Sequence, residues 1–285
     1  MRQAQYELHT RLLPLYGERE AAQIADWVME NITGQKKIDR IVNRDLRLSP
    51  VQLDIFWQYI KGLAGHKPVQ YVLHESWFCG YKFYVDEHVL IPRPETEELV
   101  EWVASTIDTK TAPTAEKTLL DIGTGSGCIA ISLKKLRPQT TVLACDVSSG
   151  ALTVARRNAT DLSADISFHK LDILDKNQRT TLPPLDIIVS NPPYIPLRDK
   201  AAMSPHVLDH EPHLALFVHD EDPLIFYQAI ADLGTERLSP GGKIFAEIHE
   251  ELAAPTLTLF HKAGYTDIVV KSDMQGKERM ISATR

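Results

Sequence analysis

No long hydrophobic run interrupts this sequence. Of its 285 residues, 44% are hydrophobic and 24% are charged, as in a globular protein. No segment approaches the roughly 20 consecutive apolar residues of a membrane-spanning helix. The acidic Glu7 lies near the first residue and no apolar block follows it, so we expect no secretory signal. These absences predict a cytoplasmic protein with no membrane partner.

Cysteine is scarce, and paired metal-ligand motifs are lacking. The three cysteines lie far apart and form no CxxC pair of the kind found in zinc and redox sites, so we expect reduced packing residues. They are Cys79, Cys128 and Cys145. Four histidines lie close together in a segment that predicts irregular loop, and we interpret them as surface residues rather than metal ligands. They are His206, His210, His213 and His219. The sequence predicts no metal site.

An excess of positive charge is also lacking. The net charge is −7, whereas a protein that neutralises many phosphates needs a positive surface. Residues 1–75 carry 10 Lys and Arg against 9 Asp and Glu, which leaves 21 against 29 in the rest of the chain. The acidity therefore belongs to the larger part, and we expect no stable binding of nucleic acid.

The first 65 or so residues predict several short helices, because their apolar residues recur at helical spacing. Ser49, followed by Pro50 and Gln52, forms a capping-box pattern at a helix start. Four basic residues recur at intervals of four, four and three, which indicates one helix face. They are Lys36, Arg40, Arg44 and Arg47. We interpret this face as solvated, and a macromolecular contact surface is the alternative.

Aromatic and β-branched residues around Gly80 predict a β-hairpin within residues 69–84. A helix is expected from Pro94 to about residue 107, followed by a loop over residues 108–117. Apolar strands then alternate with amphipathic helices at 127–136 and 149–160. The strands are predicted at 118–122, 141–146, 166–171, 185–190, 242–248, 267–271 and 279–283. This alternation predicts a doubly wound α/β sheet. We divide the chain into a helical N-terminal domain (1–66), a β-hairpin linker (67–88) and an α/β domain (89–285).

Alternating glycines at the end of the first α/β strand predict a nucleotide-type cofactor site. The loop consists of Gly123, Thr124, Gly125, Ser126 and Gly127, and a helix follows directly. Asp146 ends the next strand, where a carboxylate can accept both ribose hydroxyls of a nucleoside. The GxGxxA form of a dinucleotide fingerprint is also satisfied. Asp121, just before the loop, suits a cationic amino-acid moiety better than a pyrophosphate and favours S-adenosylmethionine.

Two further residues are candidates for the adenine contact. Asp172 ends the third strand and can reach the adenine amino group, with Ile173 against the ring. A local capping role is the alternative for Asp172.

The segment Asn191-Pro192-Pro193-Tyr194 follows a buried strand, at the strand end where α/β sheets bind ligands. A planar amide or amino nitrogen is a weak nucleophile, so its orientation must contribute much of the catalysis. The Asn191 side-chain oxygen and the Pro192 carbonyl can each accept one N–H of such a group, while Tyr194 stacks on its plane. Consecutive prolines stiffen the loop. The segment therefore predicts methyl transfer to nitrogen.

Residues 91–97 (IPRPETE), the GTGSG loop and the NPPY segment together resemble the HemK/PrmC family of protein-(glutamine-N5) methyltransferases. The resemblance extends over almost the whole chain. It includes residues 68–71, Glu211-Pro212, Gly276 and Arg279. NPPY alone is shared with adenine-N6 methyltransferases of DNA and RNA, and residues 91–97 narrow the choice.

The resemblance implies a seven-stranded Rossmann-like class I methyltransferase domain, S-adenosylmethionine as cofactor and S-adenosylhomocysteine as product. The implied substrate is the glutamine of the Gly-Gly-Gln motif in class I peptide chain release factors, docked by the N-terminal helices. Residues 123–127, Asp146 and Asn191 are assigned to the cofactor, and residues 191–194 to the glutamine amide. Two departures are visible. Leu73-His74 stands where the family often has glycine, and Ile173 where some relatives have an aromatic residue.

Three other functions stay open. The first is methylation of a ribosomal-protein glutamine, which shares fold and tetrapeptide. The second is adenine methylation on nucleic acid, disfavoured by the acidic larger part. The third is a NAD-dependent enzyme or a nucleotide-binding module without methyl transfer.

Overall fold

The computed structural model describes residues 1–43, 45–107 and 117–285. Its α-helices are α1 Arg2–Thr33, α2 Lys37–Val42, α3 Pro50–Ala64, α4 Val69–Leu73, α5 Pro94–Thr106, α6 Cys128–Leu136, α7 Ser149–Asp161, α8 Lys176–Arg179, α9 Pro205–Leu208, α10 Ile225–Arg237 and α11 Ala253–Lys262. Its strands are β1 Ser76–Phe78, β2 Tyr81–Phe83, β3 Thr118–Ile122, β4 Thr141–Asp146, β5 Ser167–Lys170, β6 Leu185–Ser190, β7 Ile195–Pro196, β8 Phe217–Val218, β9 Leu238–Glu247, β10 Thr266–Ser272 and β11 Glu278–Thr284. The predicted loop at 108–117 lies outside the described residues except for Lys117.

The chain forms two compact units. One comprises residues 1–75 and 204–210, and the other residues 76–203 and 211–285. The domain boundaries that the sequence predicts after residues 66 and 88 stay a prediction. No helix in the described part of the chain is long and apolar enough to cross a membrane.

The first unit is helical, but its first helix is longer than the short helices that the sequence predicts. One helix, α1, runs through residues 2–33 and is interrupted at Gly17, whose φ of 74° and ψ of 170° are accessible to glycine. The capping box at the start of α3 is confirmed, because the Ser49 hydroxyl accepts from the Gln52 N–H and the Gln52 side chain accepts from the Ser49 N–H. The apolar faces of α1 and α3 pack together in one core.

The predicted basic face is not a single solvated surface. Arg40 is only 4% exposed, and its guanidinium donates to Asp26 (2.9 Å) and to the Gln35 carbonyl (2.7 Å). Lys36 and Arg47 are exposed, whereas Arg44 lies outside the described residues. Helical spacing alone cannot show that one member of the row is buried against a carboxylate, so the interpretation of Arg40 was wrong.

The four clustered histidines differ in burial. The ring Nδ1 of His206 lies 2.8 Å from the His66 carbonyl, and His210 Nε2 lies 3.1 Å from the Gly65 carbonyl, so these two are half-buried members of the helical unit. His213 and His219 are exposed, as expected. Within the described residues no group of three or more potential ligands could hold a metal ion.

The predicted hairpin over residues 69–84 is shorter, because residues 69–73 form helix α4. The buried side chains of α4 are consecutive in the sequence, a pattern that also occurs in a buried strand. His74 ends α4 with φ 54°, the left-handed conformation that glycine adopts more easily. The hairpin itself pairs β1 with β2 through Cys79 and Gly80, whose φ values of 48° and 77° suit a tight two-residue turn.

The second unit is built on a seven-stranded sheet in the order β10-β11-β9-β6-β3-β4-β5. Strands β3, β4, β5, β6 and β9 run parallel, and β11 pairs antiparallel with β9 and β10. Consecutive residues such as Leu119 and Leu120 are buried in different apolar clusters, one including α5 and α6 and the other α10 and α11. The predicted doubly wound architecture is confirmed.

Asn158 on α7 ties two loops of this unit together. Its Oδ1 accepts the Tyr84 N–H (2.7 Å), and its Nδ2 donates to the carbonyls of Tyr84 and Ser126, both at 2.9 Å. The residue is 1% exposed. The glycine loop is therefore held by a buried side chain as well as by its own turn.

We expect Asn158→Ala to lower the free energy of unfolding by about 2–4 kcal/mol, because a buried side chain loses three hydrogen bonds to backbone groups. Urea denaturation measures the change. Asn177→Ala on the exposed face of α8 is the control and should shift stability by less than about 0.5 kcal/mol. Equal effects for the two variants would contradict the tether.

Candidate active site

The carboxyl ends of three neighbouring strands meet in one cleft. Strand β3 lies between β4 and β6, so Ile122, Asp146 and Ser190 end side by side. The Ser190 hydroxyl donates to the Ile122 carbonyl at 2.8 Å and holds two of these ends together. The cleft has an empty volume of about 1150 Å³. Strand order reverses at β3, which is the position where open α/β sheets bind ligands.

The glycine loop forms one wall of the cleft. Gly123 and Gly125 have φ values of 70° and 54°, and a Cβ at either position would meet no atom closer than 4.0 Å. Their backbone therefore borders open space, where a ligand can approach closely. The N–H groups of Gly123 and Thr124 both donate to the Cys145 carbonyl, which anchors the loop on β4.

At position 127, glycine is required for packing rather than for ligand access. A Cβ there would lie 3.0 Å from Ile131 Cδ1 and 3.3 Å from Ala155 Cβ, so glycine allows α6 and α7 to pack closely. Its assignment to the cofactor stays a prediction. Thr124 and Ser126 line the cleft, as the sequence suggested.

Asp146 also lines the cleft. Its Oδ2 accepts the Gly125 N–H at 3.0 Å and its Oδ1 accepts the Ser148 N–H at 2.8 Å. Burial raises the pKa of this carboxyl, while the hydrogen bonds from Ser148 and Gly125 act against the increase. Each oxygen has a further lone pair, so the carboxylate can accept two hydroxyl groups from a ligand.

Asp121 lies just before the glycine loop. The residue is 0% exposed, and its Oδ2 accepts from the Thr124 hydroxyl (2.7 Å) and the Ala130 N–H (3.2 Å). Burial raises the pKa of Asp121 to about 7. These hydrogen bonds brace the glycine loop, and the contact of Asp121 with a cationic amino-acid moiety stays a prediction.

Asp172 and Ile173 both line the cleft. The Asp172 Oδ1 accepts the Leu174 N–H at 2.9 Å, which is the local capping role considered as the alternative. Ile173 is 6% exposed and presents an apolar side chain. Their contacts with an adenine ring stay predictions.

Asn191, Pro192 and Pro193 line the same cleft as the glycine loop. Tyr194 instead packs against the apolar core, and its hydroxyl donates to Glu247 Oε1 at 2.9 Å. Burial, with the nearby Glu247 carboxylate, raises the pKa of Tyr194. The proposed stacking of this ring on a substrate stays a prediction.

Two hydrogen bonds near Asn191 were not predicted from the sequence. The Asn191 Nδ2 donates to the Thr96 hydroxyl oxygen at 3.2 Å, and the Thr96 hydroxyl donates to Glu247 Oε2 at 2.6 Å. Glu247 is 2% exposed. The available signal was a single acid inside the apolar stretch 244–248, in a strand paired with β6.

Glu211 holds the segment that borders the cleft beside α5. Its Oε1 accepts from Arg93 Nη2 at 2.6 Å, and its Oε2 accepts the Ile91 N–H at 3.3 Å. The carboxylate is buried, with the residue 4% exposed. This contact joins two distant parts of the chain that both carry the family resemblance.

Known proteins resemble this chain along most of its length. Family models match at residues 101–210 (methyltransferase small domain) and 8–73 (PrmC N-terminal domain). The release factor glutamine methyltransferase of Flavobacterium psychrophilum is 42% identical over 273 residues, covering 95% of this chain and 94% of the relative. That of Bacteroides thetaiotaomicron is 41% identical over 276 residues, covering 96% of each chain. The chain belongs to the release factor glutamine methyltransferase family.

The family assignment confirms the resemblance seen in the sequence, and the chain is a methyltransferase. A methyltransferase from Pyrococcus furiosus shares the fold, with a TM-score of 0.51 and 17% identity over 82% of this chain and 97% of that one. A methyltransferase domain implies a cofactor of the S-adenosylmethionine type.

The raised pKa of Asp121 predicts a pH-dependent stability. Between its ordinary value of about 3.9 and about 7, the unfolded chain carries the carboxylate while the folded chain keeps the neutral acid. Stability from this group is thus full at low pH and is lost as pH rises through about 7.

We expect Asp121→Asn to remove this loss, so its Tm should rise relative to the unmodified protein between pH 4 and pH 7. Thermal unfolding at several pH values measures the difference. Asp165→Asn, at an exposed position, is the matched control. Parallel Tm curves for Asp121→Asn and the unmodified protein would refute the expectation.

Proposed function

We propose that the chain transfers a methyl group from S-adenosylmethionine to the side-chain N5 of the glutamine in the Gly-Gly-Gln motif of class I peptide chain release factors. The observation that carries the proposal is the placement of Asn191, Pro192 and Pro193 in one cleft with the glycine loop and Asp146. Membership of the release factor glutamine methyltransferase family supports the substrate.

The residues around the glycine loop fit S-adenosylmethionine. Asp146 can accept the ribose hydroxyls, and the open space beside Gly123 and Gly125 admits a ligand against the backbone. The Asp146 carboxylate already takes the Gly125 N–H, so this amide is not available to a pyrophosphate.

When bound, S-adenosylmethionine supplies an electrophilic methyl group. The chain's own task is to orient the nitrogen, because the lone pair of an amide is delocalised into its carbonyl. The Asn191 Oδ1 and the Pro192 carbonyl each accept one N–H of the glutamine side chain. These two acceptors also stabilise the positive charge that develops on the nitrogen.

The helical unit is proposed to dock the release factor. Its helix α2 exposes Ile38, Ile41 and Val42 at 65%, 59% and 77%, an apolar surface of the kind that protein partners cover. A release factor acts on the ribosome, so we also propose that the enzyme works in the cytoplasm.

Two other substrates use the same chemistry. A ribosomal-protein glutamine has the same amide, and an adenine amino group has the same planar nitrogen. The excess of acidic residues after residue 75 disfavours nucleic acid. The substrate assay distinguishes all three.

We expect the purified chain, with labelled S-adenosylmethionine, to label a recombinant class I release factor, and replacement of its Gly-Gly-Gln glutamine to abolish labelling. Asn191→Ala should lower kcat by about 100-fold or more, because one of two orienting acceptors is lost. Asn177→Ala is the control and should keep full activity. Label that appears only in ribosomal protein, RNA or DNA would overturn the assignment.

Calorimetry tests the cofactor separately. We expect S-adenosylhomocysteine to bind and NAD not to bind. Asp146→Asn should weaken S-adenosylhomocysteine binding by about 10- to 100-fold, since a charged acceptor for two hydroxyls is lost. Asp165→Asn should bind like the unmodified protein, and binding of NAD in place of S-adenosylhomocysteine would exclude the proposal.

A further inference from the structure

A line of hydrogen bonds connects the Asn191 amide to a buried carboxylate. Asn191 Nδ2 donates to Thr96 Oγ1 (3.2 Å), and the Thr96 hydroxyl donates to Glu247 Oε2 (2.6 Å). The other carboxylate oxygen accepts the Tyr194 hydroxyl at 2.9 Å. Thr96 lies on α5, Glu247 ends β9 and Asn191 follows β6, so three elements meet here.

The direction of each hydrogen bond follows from the chemistry of its members. An ionised carboxylate only accepts, so the single hydroxyl hydrogen of Thr96 must point at Glu247. The Thr96 oxygen can then only accept, and the branch of the Asn191 amide that faces it must be the NH₂ group. The oxygen branch of Asn191 is left as an acceptor.

Each side-chain oxygen of Glu247 has a hydroxyl group directed at it, the geometry of a carboxylate that accepts at both oxygens. Burial raises the pKa of this carboxyl, whereas the hydrogen bonds from Thr96 and Tyr194 and the charge of Arg279 act against the increase. The Tyr227 hydroxyl donates to the Glu247 backbone carbonyl at 3.1 Å and fixes the end of the strand. Glu247 is thus a rigid acceptor for two hydroxyl groups.

We propose that Thr96 and Glu247 are positioning residues that set the flip of the Asn191 amide, so that its oxygen rather than its nitrogen faces the substrate nitrogen. Side-chain amides can present either atom, and the two orientations differ little without a specific partner. With the opposite flip, Asn191 would direct a donor at the N–H groups of the substrate. The inference rests on the proposed function, because it assumes an amide-type nitrogen as substrate.

The test compares Thr96→Val, which keeps the shape but removes the hydroxyl, with Thr96→Ser, which keeps the hydroxyl. We expect Thr96→Val to lower kcat for the release factor by about 10- to 100-fold, the effect of one lost orienting hydrogen bond. The KM for the release factor should stay within about twofold, since the change acts on the orientation of the bound amide. Thr96→Ser should recover kcat to within about threefold of the unmodified protein.

Thr256 provides the matched control. It is also fully buried, on α11, and its hydroxyl has no hydrogen-bond partner within the described residues. Thr256→Val should therefore leave kcat unchanged. If Thr96→Val fails to fold, Thr96→Ala carries the same expectation with a smaller side chain.

A second measurement needs no substrate. In ¹⁵N NMR spectra of the free protein, the side-chain NH₂ signals of Asn191, identified by their loss in Asn191→Ala, should shift in Thr96→Val and not in Thr256→Val. Any one of three results would overturn the positioning role. These are unshifted Asn191 signals, a kcat of Thr96→Val within threefold of the unmodified protein, and a failure of Thr96→Ser to restore kcat. Absence of any transfer to the release factor by the unmodified protein would instead refute the proposed function, and the NMR comparison would still decide the orientation of the amide.

Discussion

The pairing of β3 with β4 on one side and β6 on the other is the constraint on which the site depends. Parallel strands end at the same edge, so this pairing brings the glycine loop, Asp146 and the segment beginning at Asn191 to one cleft. The hydroxyl of Ser190 on the carbonyl of Ile122 holds two of the strand ends together. Each loop is short and anchored, so its geometry is set before any ligand arrives.

Acidic residues in the unit that contains the sheet fall into two groups: one lines the cleft and the others are buried. Asp146 borders the cleft, where its carboxylate can receive hydroxyl groups. Asp121, Glu211 and Glu247 are buried behind the walls, and each accepts hydrogen bonds from neighbouring protein groups. A buried acid is costly unless such donors surround it, so these contacts also restrict where the loops can lie. In the proposed function, the groups that accept from the substrate nitrogen are the neutral oxygens of Asn191 and Pro192.

Much of the fold followed from local patterns. The alternation of strands and helices from residue 118 onwards predicted the doubly wound sheet, and the capping box at Ser49 marked the start of a helix that the structure contains. The predictions that were wrong share a cause. Residues 71–73 place consecutive apolar side chains in the core, which a strand also does. Arg40 belongs to a basic row but is itself buried, with its guanidinium on Asp26. Periodicity reports which positions are apolar or charged and carries no information on their partners.

The sequence by itself determined the strands of the α/β domain along the chain, the glycine loop, the acid at the end of β4 and the NPPY segment. These are local properties: strand and helix periods, the φ range of glycine and the stiffness of proline act within a few residues. Only the tertiary structure decided which hydrogen-bond partners the buried carboxylates have. Thr96 and Glu247 are 151 residues apart, and Arg93 and Glu211 are 118 apart, yet each pair is joined by one hydrogen bond of 2.6 Å. Such a bond depends on the packing of helix α5 and its entry segment against the rest of the unit, which no neighbouring residue in the chain specifies.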